Sequence, residues 1–293
     1  VNPVRARSVK RAADGEQAVC GPGGRWYWAA EVDLAAQRIW IDPEETRHLR
    51  TVLRHRAADS IEVIDGRGGR YTVALASRVP ALGRRGAGRG LEGRILAVHP
   101  LTPEPAPLVL AVPCIKWPRL EILVDGAVQL GVTHFHLWHA EQSNWQAELS
   151  PSRSRRLERI AREATTQSLG THAPVITGPL ALPALLAALA NPLARGEAWV
   201  AHLAPDDGGG SVPSPAGDPA GSASTPQPSA GLALVIGPEG GLTPAEVATF
   251  QGAGARLLHL GPRRLRTEVA AIAGLAALLD RGRGSASGPI PAR

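Results

Sequence analysis

The sequence predicts an α/β protein in which a mostly parallel sheet flanked by helices follows a small, mostly β unit. Three observations carry that expectation. Short β-type runs broken by turns fill residues 26–98, apolar strands alternate with helical stretches from residue 108 onward, and the proline-rich stretch Pro100–Pro107 separates the two patterns. The chain has 293 residues, 44% of them hydrophobic, which is enough apolar material for one large domain or two modest ones.

Taken in order, residues 1–24 mix charges with Gly and Pro without any period and are expected to form a disordered extension. A first domain is expected over 25–99, with strands at Arg38–Ile41, Ser60–Asp65, Tyr71–Ser77 and Arg94–Val98. In IEVIDGRGGRYTVAL (61–75) two β runs flank a Gly-rich turn, the pattern of a hairpin. A short helix over His48–Arg54 would put Leu49, Val52 and Leu53 on one face. A second domain is expected over 106–284. Its strands are Leu108–Val112, His134–Trp138, Ala198–Leu203, Leu232–Ile236 and Arg256–Leu260, and its helices Arg119–Leu130, Pro151–Ser168, Pro183–Leu189, Pro244–Gln251 and Thr267–Leu279. Ser150 stands as N-cap before Pro151, with Leu157, Ile160, Ala161 and Ala164 as the buried stripe of the helix. Residues 206–231 are so rich in Gly, Pro, Ser and Asp that burial cannot offset their ordering entropy; they are expected to be a flexible insertion, and 285–293 a tail.

The net charge is +6, and nearly all the positive charge is arginine, since only Lys10 and Lys116 are lysines. That balance favours a polyanionic partner. Eleven arginines against four carboxylates lie between Arg47 and Arg94, which reads either as a solvated face or as an RNA-facing patch. Cys20 and Cys114 are too few for a disulfide framework or a thiolate zinc site. No stretch approaches the roughly 20 apolar residues of a membrane span, so a cytoplasmic protein is expected. On a strand His134 and His136 share a face while His139 points the other way, so packed histidines explain the trio better than a metal site, and no metal is expected. Trp26, Trp28 and Trp40 read better as buried aromatics than as base-stacking groups.

Two late segments carry the chemistry. In LVIGPEGGLTPAEV (234–247) an apolar strand ends in Gly237, Pro238, Glu239, Gly240 and Gly241 before a helix. Glycines at the carboxyl end of a parallel strand let a ligand approach the backbone, at the sheet edge where such folds bind ligands. No Gly-Lys-Ser/Thr follows and no G-x-G-x-x-G is present, which removes support for triphosphate or dinucleotide binding. A second strand then ends in Leu260, Gly261 and Pro262, followed by Arg263, Arg264 and Arg266 ahead of a helix opening at Thr267 and Glu268. Thr267 as N-cap with Glu268 in the first turn is good helix grammar, but three arginines at a ligand edge also suit an anionic substrate.

These loops resemble the C-terminal signature of the RsmE family, SPOUT-superfamily methyltransferases that act on uridine N3 in 16S ribosomal RNA. HLRTVLRHRAADSIEVIDGRGGRYTVAL (48–75) resembles the family's PUA-like RNA-binding barrel, KWPRLEILVDGAVQLGV (116–132) its lysine-led helix, and EATTQS (163–168) its Glu-Ala-x-x-Gln-Ser segment. The resemblance implies a trefoil α/β knot that holds S-adenosyl-L-methionine, a homodimer, and 16S rRNA or the 30S subunit as partner. It places the cofactor at Leu203, Ala204, Ile236, Gly237, Pro238, Glu239, Gly240, Gly241, Leu260, Gly261, Leu265, Arg266 and Thr267. Arg266 is the candidate for holding the anionic pyrimidine or its phosphate, and Glu239 or Glu268 for positioning or proton removal. RNA contacts are expected from Arg47, Arg50, Arg54, Arg56, Lys116, Arg119 and Arg153. The chain departs from the family's pattern at Asp125, Gln129, Gln142, Gly170, His172 and Val269, where basic or other polar residues are usual. Arg153, Arg155, Arg156 and Arg159 are placed to supply the missing charge. The competing readings are a non-catalytic RNA-binding or ribosome-assembly protein of the same fold, and a SPOUT methyltransferase acting on another RNA.

Overall fold

A computed structural model describes residues 10–11, 26–51, 60–75, 90–143, 149–202 and 231–282. These fall into two units, one made of Val1–Glu104 with Arg162–Ala173, the other of Pro105–Ala161 with Pro174–Arg293.

In the first unit the strands are β1 (Lys10–Arg11), β2 (Tyr27–Asp33), β3 (Arg38–Ile41), β4 (Ser60–Ile64), β5 (Arg70–Leu75) and β6 (Leu91–Val98), with helix α1 (Pro43–Thr51) after β3. The order β6–β3–β2–β4–β5 closes because β5 also pairs with β6, giving a five-stranded barrel without a free edge. Alternation along β5 and β6 sends Tyr71, Val73, Leu75, Leu91 and Ile95 inward, where they meet Tyr27, Ile39, Ile61 and Val63. The β4–β5 hairpin forms as expected. Asp65 Oδ1 accepts from the amides of Arg67 (2.8 Å) and Gly69 (2.9 Å), and Gly66 and Gly68 take φ of +75° and +95°. Trp26 and Trp28 are buried; Arg162 stacks over the Trp28 ring at 4.7 Å, and its carbonyl accepts from the indole N–H at 2.9 Å.

Two expectations need correction here. Lys10–Arg11 is not structureless but pairs in parallel with Ala97–Val98, and a two-residue pairing is too short to leave a period in the sequence. The helix expected over His48–Arg54 starts earlier, α1 running over Pro43–Thr51, while 52–54 lie outside the described residues. Asp42 starts it, its Oδ1 accepting from the Glu44 amide at 2.9 Å, with Pro43 leading and Glu44 and Glu45 in the first turn.

The second unit is a six-stranded sheet whose every pairing is parallel. Its elements run β7 (Leu108–Pro113), α2 (Trp117–Gln129), β8 (His134–Trp138), α3 (Pro151–Gln167), β9 (Val175–Leu180), α4 (Leu182–Ala188) and α5 (Ala190–Ala194), then β10 (Ala198–Ala201), β11 (Leu232–Val235), α6 (Pro244–Gly252), β12 (Arg256–Leu258) and α7 (Thr267–Gly282). The last turn of α3 belongs to the first unit. Every residue of β7 is buried, as a strand covered by helices on both faces requires. Ser150 caps α3, its hydroxyl accepting from the Arg153 amide at 3.4 Å, and Leu157, Ala161 and Ala164 are buried. Neither β9 nor α5 is among the expected elements, and for β9 the reason is that Gly178 and Pro179 punctuate the run; β9 lies at the sheet edge, where proline is tolerated. His134 and His136 are hydrogen-bonded to Thr133 (2.8 Å) and Thr177 (2.6 Å).

The strand order is β12–β10–β11–β7–β8–β9. The chain therefore winds outward from β7 to β9, crosses to lay β10 on the far side, and returns to insert β11 between β10 and β7. The reversal puts the carboxyl ends of β10, β11 and β12 side by side at one edge of the sheet, the position of a topological switch point. Among the described residues no helix is long and apolar enough to cross a membrane.

Candidate functional site

The loop after β11 is held rigidly at its exit. Thr243 and Glu246 form a capping box at the start of α6, the Glu246 carboxylate accepting from the Thr243 amide at 2.8 Å while the Thr243 hydroxyl accepts from the Glu246 amide at 3.2 Å. The second Glu246 oxygen accepts from the Glu141 amide at 2.8 Å, so one buried carboxylate ties two loops together. Inside the loop the Gly241 amide donates to the Pro238 carbonyl at 2.8 Å, and Gly241 takes φ +83°, which favours glycine.

The loop after β12 turns through Gly261, at φ +99°, and leads into α7. Thr267 is the first helical residue rather than the N-cap the sequence favoured. It is buried, and its hydroxyl donates to the Gly237 carbonyl at 3.2 Å. That bond joins the two loops, and between them lies a cavity of about 230 Å³.

Of the residues expected to hold a cofactor, Ile236, Gly237, Pro238, Glu239, Gly240, Gly241, Leu260, Gly261, Leu265 and Thr267 all line this cavity. Arg266 does not; it is exposed beside it, while Arg263 and Arg264 are in the wall. Leu203 and Ala204 lie outside the described residues. Ala201, His202, Leu242 and Ala270 also line the cavity. The sequence reading missed His202, although it stands one residue past the end of β10, at the edge where ligands bind. Burial, with His259 nearby, pushes its imidazole below the usual histidine range, so it faces the cavity as a neutral donor or acceptor. A Cβ built on Gly241 or Gly261 would meet no atom within 4 Å, so open space adjoins both backbones. Bare peptide groups, apolar Ile236, Leu260 and Leu265, and a few polar groups suit an uncharged purine ring on an amino-acid chain, and so fit S-adenosylmethionine. Replacing Thr267 with valine keeps the shape but leaves the Gly237 carbonyl without its donor, a loss of about 1 kcal/mol. About fivefold weaker cofactor binding is the expected calorimetric result, and wild-type affinity would show that the hydroxyl does not couple the loops.

Arg119, expected on RNA, is an internal strut. Its Nη1 donates to Glu239 Oε1 at 2.7 Å, and its Nε lies 4.0 Å from Glu268 Oε1. One guanidinium on α2 thus reaches a carboxylate of the loop after β11 and another in the first turn of α7. The second Glu268 oxygen is buried without a hydrogen-bond partner among the described residues. Because the pair is about one-third exposed, Arg119→Ala is expected to weaken cofactor binding about tenfold rather than eliminate it. Unchanged affinity by calorimetry would remove the strut from the binding machinery.

Lys116 is exposed beside the N-terminus of α2, and the Arg153 guanidinium lies 5.4 Å from the Trp117 ring centroid. Arg47 and Arg50 fall in α1, but their side chains lie outside the described residues, as do Arg54 and Arg56 altogether. Of the expected insertion 206–231, all but Gly231 lies outside them too, as does the tail 285–293. Among the departures from the family pattern, Asp125 and Gln129 form an exposed pair one turn apart on α2 (2.9 Å), away from the cavity wall. Gln142 packs directly against Gly240.

The RNA methyltransferase domain family matches residues 102–279, and the RNA methyltransferase PUA domain matches 41–78. The chain is 33% identical over 244 residues to the ribosomal RNA small subunit methyltransferase E of Mycobacterium tuberculosis, covering 81% of this chain and 84% of the relative. The namesake protein of Synechocystis is 28% identical over 249 residues, covering 83% and 74%. A methyltransferase structure from Legionella pneumophila with bound SAM superposes with a TM-score of 0.68 at 23% identity, over 87% of this chain and 96% of that one. The ribosomal RNA small subunit methyltransferase E of Neisseria gonorrhoeae, bound to S-adenosyl methionine, gives 0.67 at 22%, over 87% and 97%. Both share the fold.

Proposed function

The chain belongs to the ribosomal RNA small subunit methyltransferase E family, and on that premise we propose that it methylates N3 of a uridine in 16S rRNA, using S-adenosylmethionine. The observation that carries this reading is the single cavity that the two late glycine loops build at the switch point of the sheet.

When bound, the cofactor supplies an electrophilic methyl group. The chain has three tasks around it. Peptide groups of 236–241 and 260–261 hold the nucleoside and amino-acid ends, with Thr267 and Arg119 fixing the two loops in register. Arg266, exposed beside the cavity, is the group assigned to stabilise the negative charge that develops on the uracil once N3 loses its proton. Of the two carboxylates, Glu239 is in the cavity wall, steadied by Arg119 at 2.7 Å, whereas the unpartnered oxygen of Glu268 is buried and Glu268 is not in that wall, so Glu239 is the better placed to orient or accept the imide proton.

Three finer features belong to the same proposal. Insertion of β11 between β7 and β10 supports a threaded, knotted C-terminal chain. Ile122 on α2 and Val269 on α7 are large exposed apolar side chains on helices that pack together, which supports a homodimer through that face. Action on the ribosome supports a cytoplasmic location.

Radiolabelled methyl transfer to small subunits isolated from a deletion strain, with free rRNA in parallel, tests the activity. Label in N3-methyluridine of 16S rRNA is expected. If the deletion strain retains its full N3-methyluridine content there, the proposed target is wrong.

A further inference from the structure

Beside the cofactor loops the structure holds an aromatic group that neither the activity nor the cavity uses. Trp117 is the first residue of α2, followed by Pro118, and its ring is half-buried although indole is among the largest apolar side chains. It is held on two sides. The Arg153 guanidinium, from the first turn of α3, lies 5.4 Å from the ring centroid, and the side chain hydrogen-bonds to Glu121 one turn along α2. Glu121 is itself fixed, accepting from Arg156 Nε at 2.6 Å and Nη2 at 2.8 Å. That guanidinium fork, with Arg159 nearby, holds the Glu121 carboxyl below the usual carboxylate range.

The surroundings are basic. Lys116 and Arg155 are exposed, Arg156 and Arg159 both act on the carboxylate of Glu121, and Arg153 lies over the Trp117 ring. The place is also telling: two residues after Trp117, Arg119 reaches Glu239 in the wall of the cofactor cavity, so the indole stands at the same sheet edge as the methyl donor's loops. A ring braced at its edge and backed by a guanidinium, within a field of arginines, is the composition that stacks unpaired nucleobases.

We infer that Trp117, braced by Glu121 and Arg153, is a stacking platform for an unpaired base of the RNA substrate next to the methylated uridine. The inference rests on the RNA substrate proposed above and assigns part of its recognition to this chain's own α2–α3 corner. The alternative is that these side chains only stitch α2 to α3, and the two roles differ in what they move.

The test compares wild type, Trp117→Ala and Trp117→Phe in three measurements: anisotropy of a labelled single-stranded uridine-containing RNA, cofactor affinity by calorimetry, and thermal midpoint. A platform requires Trp117→Ala to bind the RNA about tenfold more weakly, from the loss of one base stack, with cofactor affinity and midpoint unchanged. Trp117→Phe, which keeps a π face, should recover most of that binding. RNA affinity unchanged in Trp117→Ala overturns the inference, as does a fall shared equally by both variants along with the thermal midpoint. Because binding is read without turnover, an absence of methyl transfer by the wild type would count against the proposed activity and leave this result standing.

Discussion

Gly240→Arg is expected to abolish cofactor binding, with saturable heat on S-adenosylmethionine titration lost. A Cβ at Gly240 would meet three atoms of Gln142, the side-chain oxygen at 3.0 Å, Cβ at 3.1 Å and the backbone oxygen at 3.2 Å. The side chain therefore grows toward Gln142, and the neighbours of Gln142 are tied down. The Glu141 amide is bonded to buried Glu246, and the Ser143 amide to the Ala140 carbonyl. With no retreat on that side, the 237–241 loop must move, and it moves against the cavity that it walls. Overpacking of about 1–3 kcal/mol from the first carbons, added to a long cation beside Arg263 and Arg264, places the loss at about 100-fold or more. Gly252→Arg is the matched control, since a Cβ there meets nothing within 4 Å, and it should bind the cofactor like wild type. A normal titration by Gly240→Arg would mean that the loop does not hold the cofactor.

The second large effect separates binding from chemistry. Arg266→Ala is expected to leave cofactor affinity within about twofold while lowering the rate of methyl transfer about 100-fold, the scale of removing one group that stabilises a developing anion. The separation follows from placement. Arg263 and Arg264 are in the cavity wall, whereas Arg266 is exposed outside it. Its backbone is not in question, because its carbonyl accepts the first α7 bond, from the Ala270 amide at 2.8 Å, whatever the side chain. Wild-type turnover by the purified variant would transfer the role to another arginine.

What could be read in advance was what local chemistry dictates. The glycine run at 237–241 and the Gly261 turn were legible because backbone near a ligand needs those residues, and because both follow an apolar strand. The hairpin around Asp65 was legible because its glycines take positive φ. Non-local facts were not. Nothing in the sequence says that the Thr267 hydroxyl leaves its own helix to reach Gly237, thirty residues away, or that Arg119 crosses 120 positions to meet Glu239. Helix grammar assigns the first to capping, and composition assigns the second to RNA. β9 was hidden by Gly178 and Pro179, whose meaning depends on knowing that the strand lies at an edge. The α1 start is written in the sequence as Asp42–Pro43 followed by two glutamates, a capping signal that apolar spacing does not carry.

The placement of β11 has a consequence for the order in which a growing polypeptide becomes competent. All five barrel strands have been synthesised by Val98, yet β11 is complete only at Val235, and the cavity lined by the turns after β11 and β12 needs the chain as far as Ala270. Such long-range closure is slow compared with local hairpins. A nascent chain can thus complete the strands of its barrel well before it owns a place for the methyl donor.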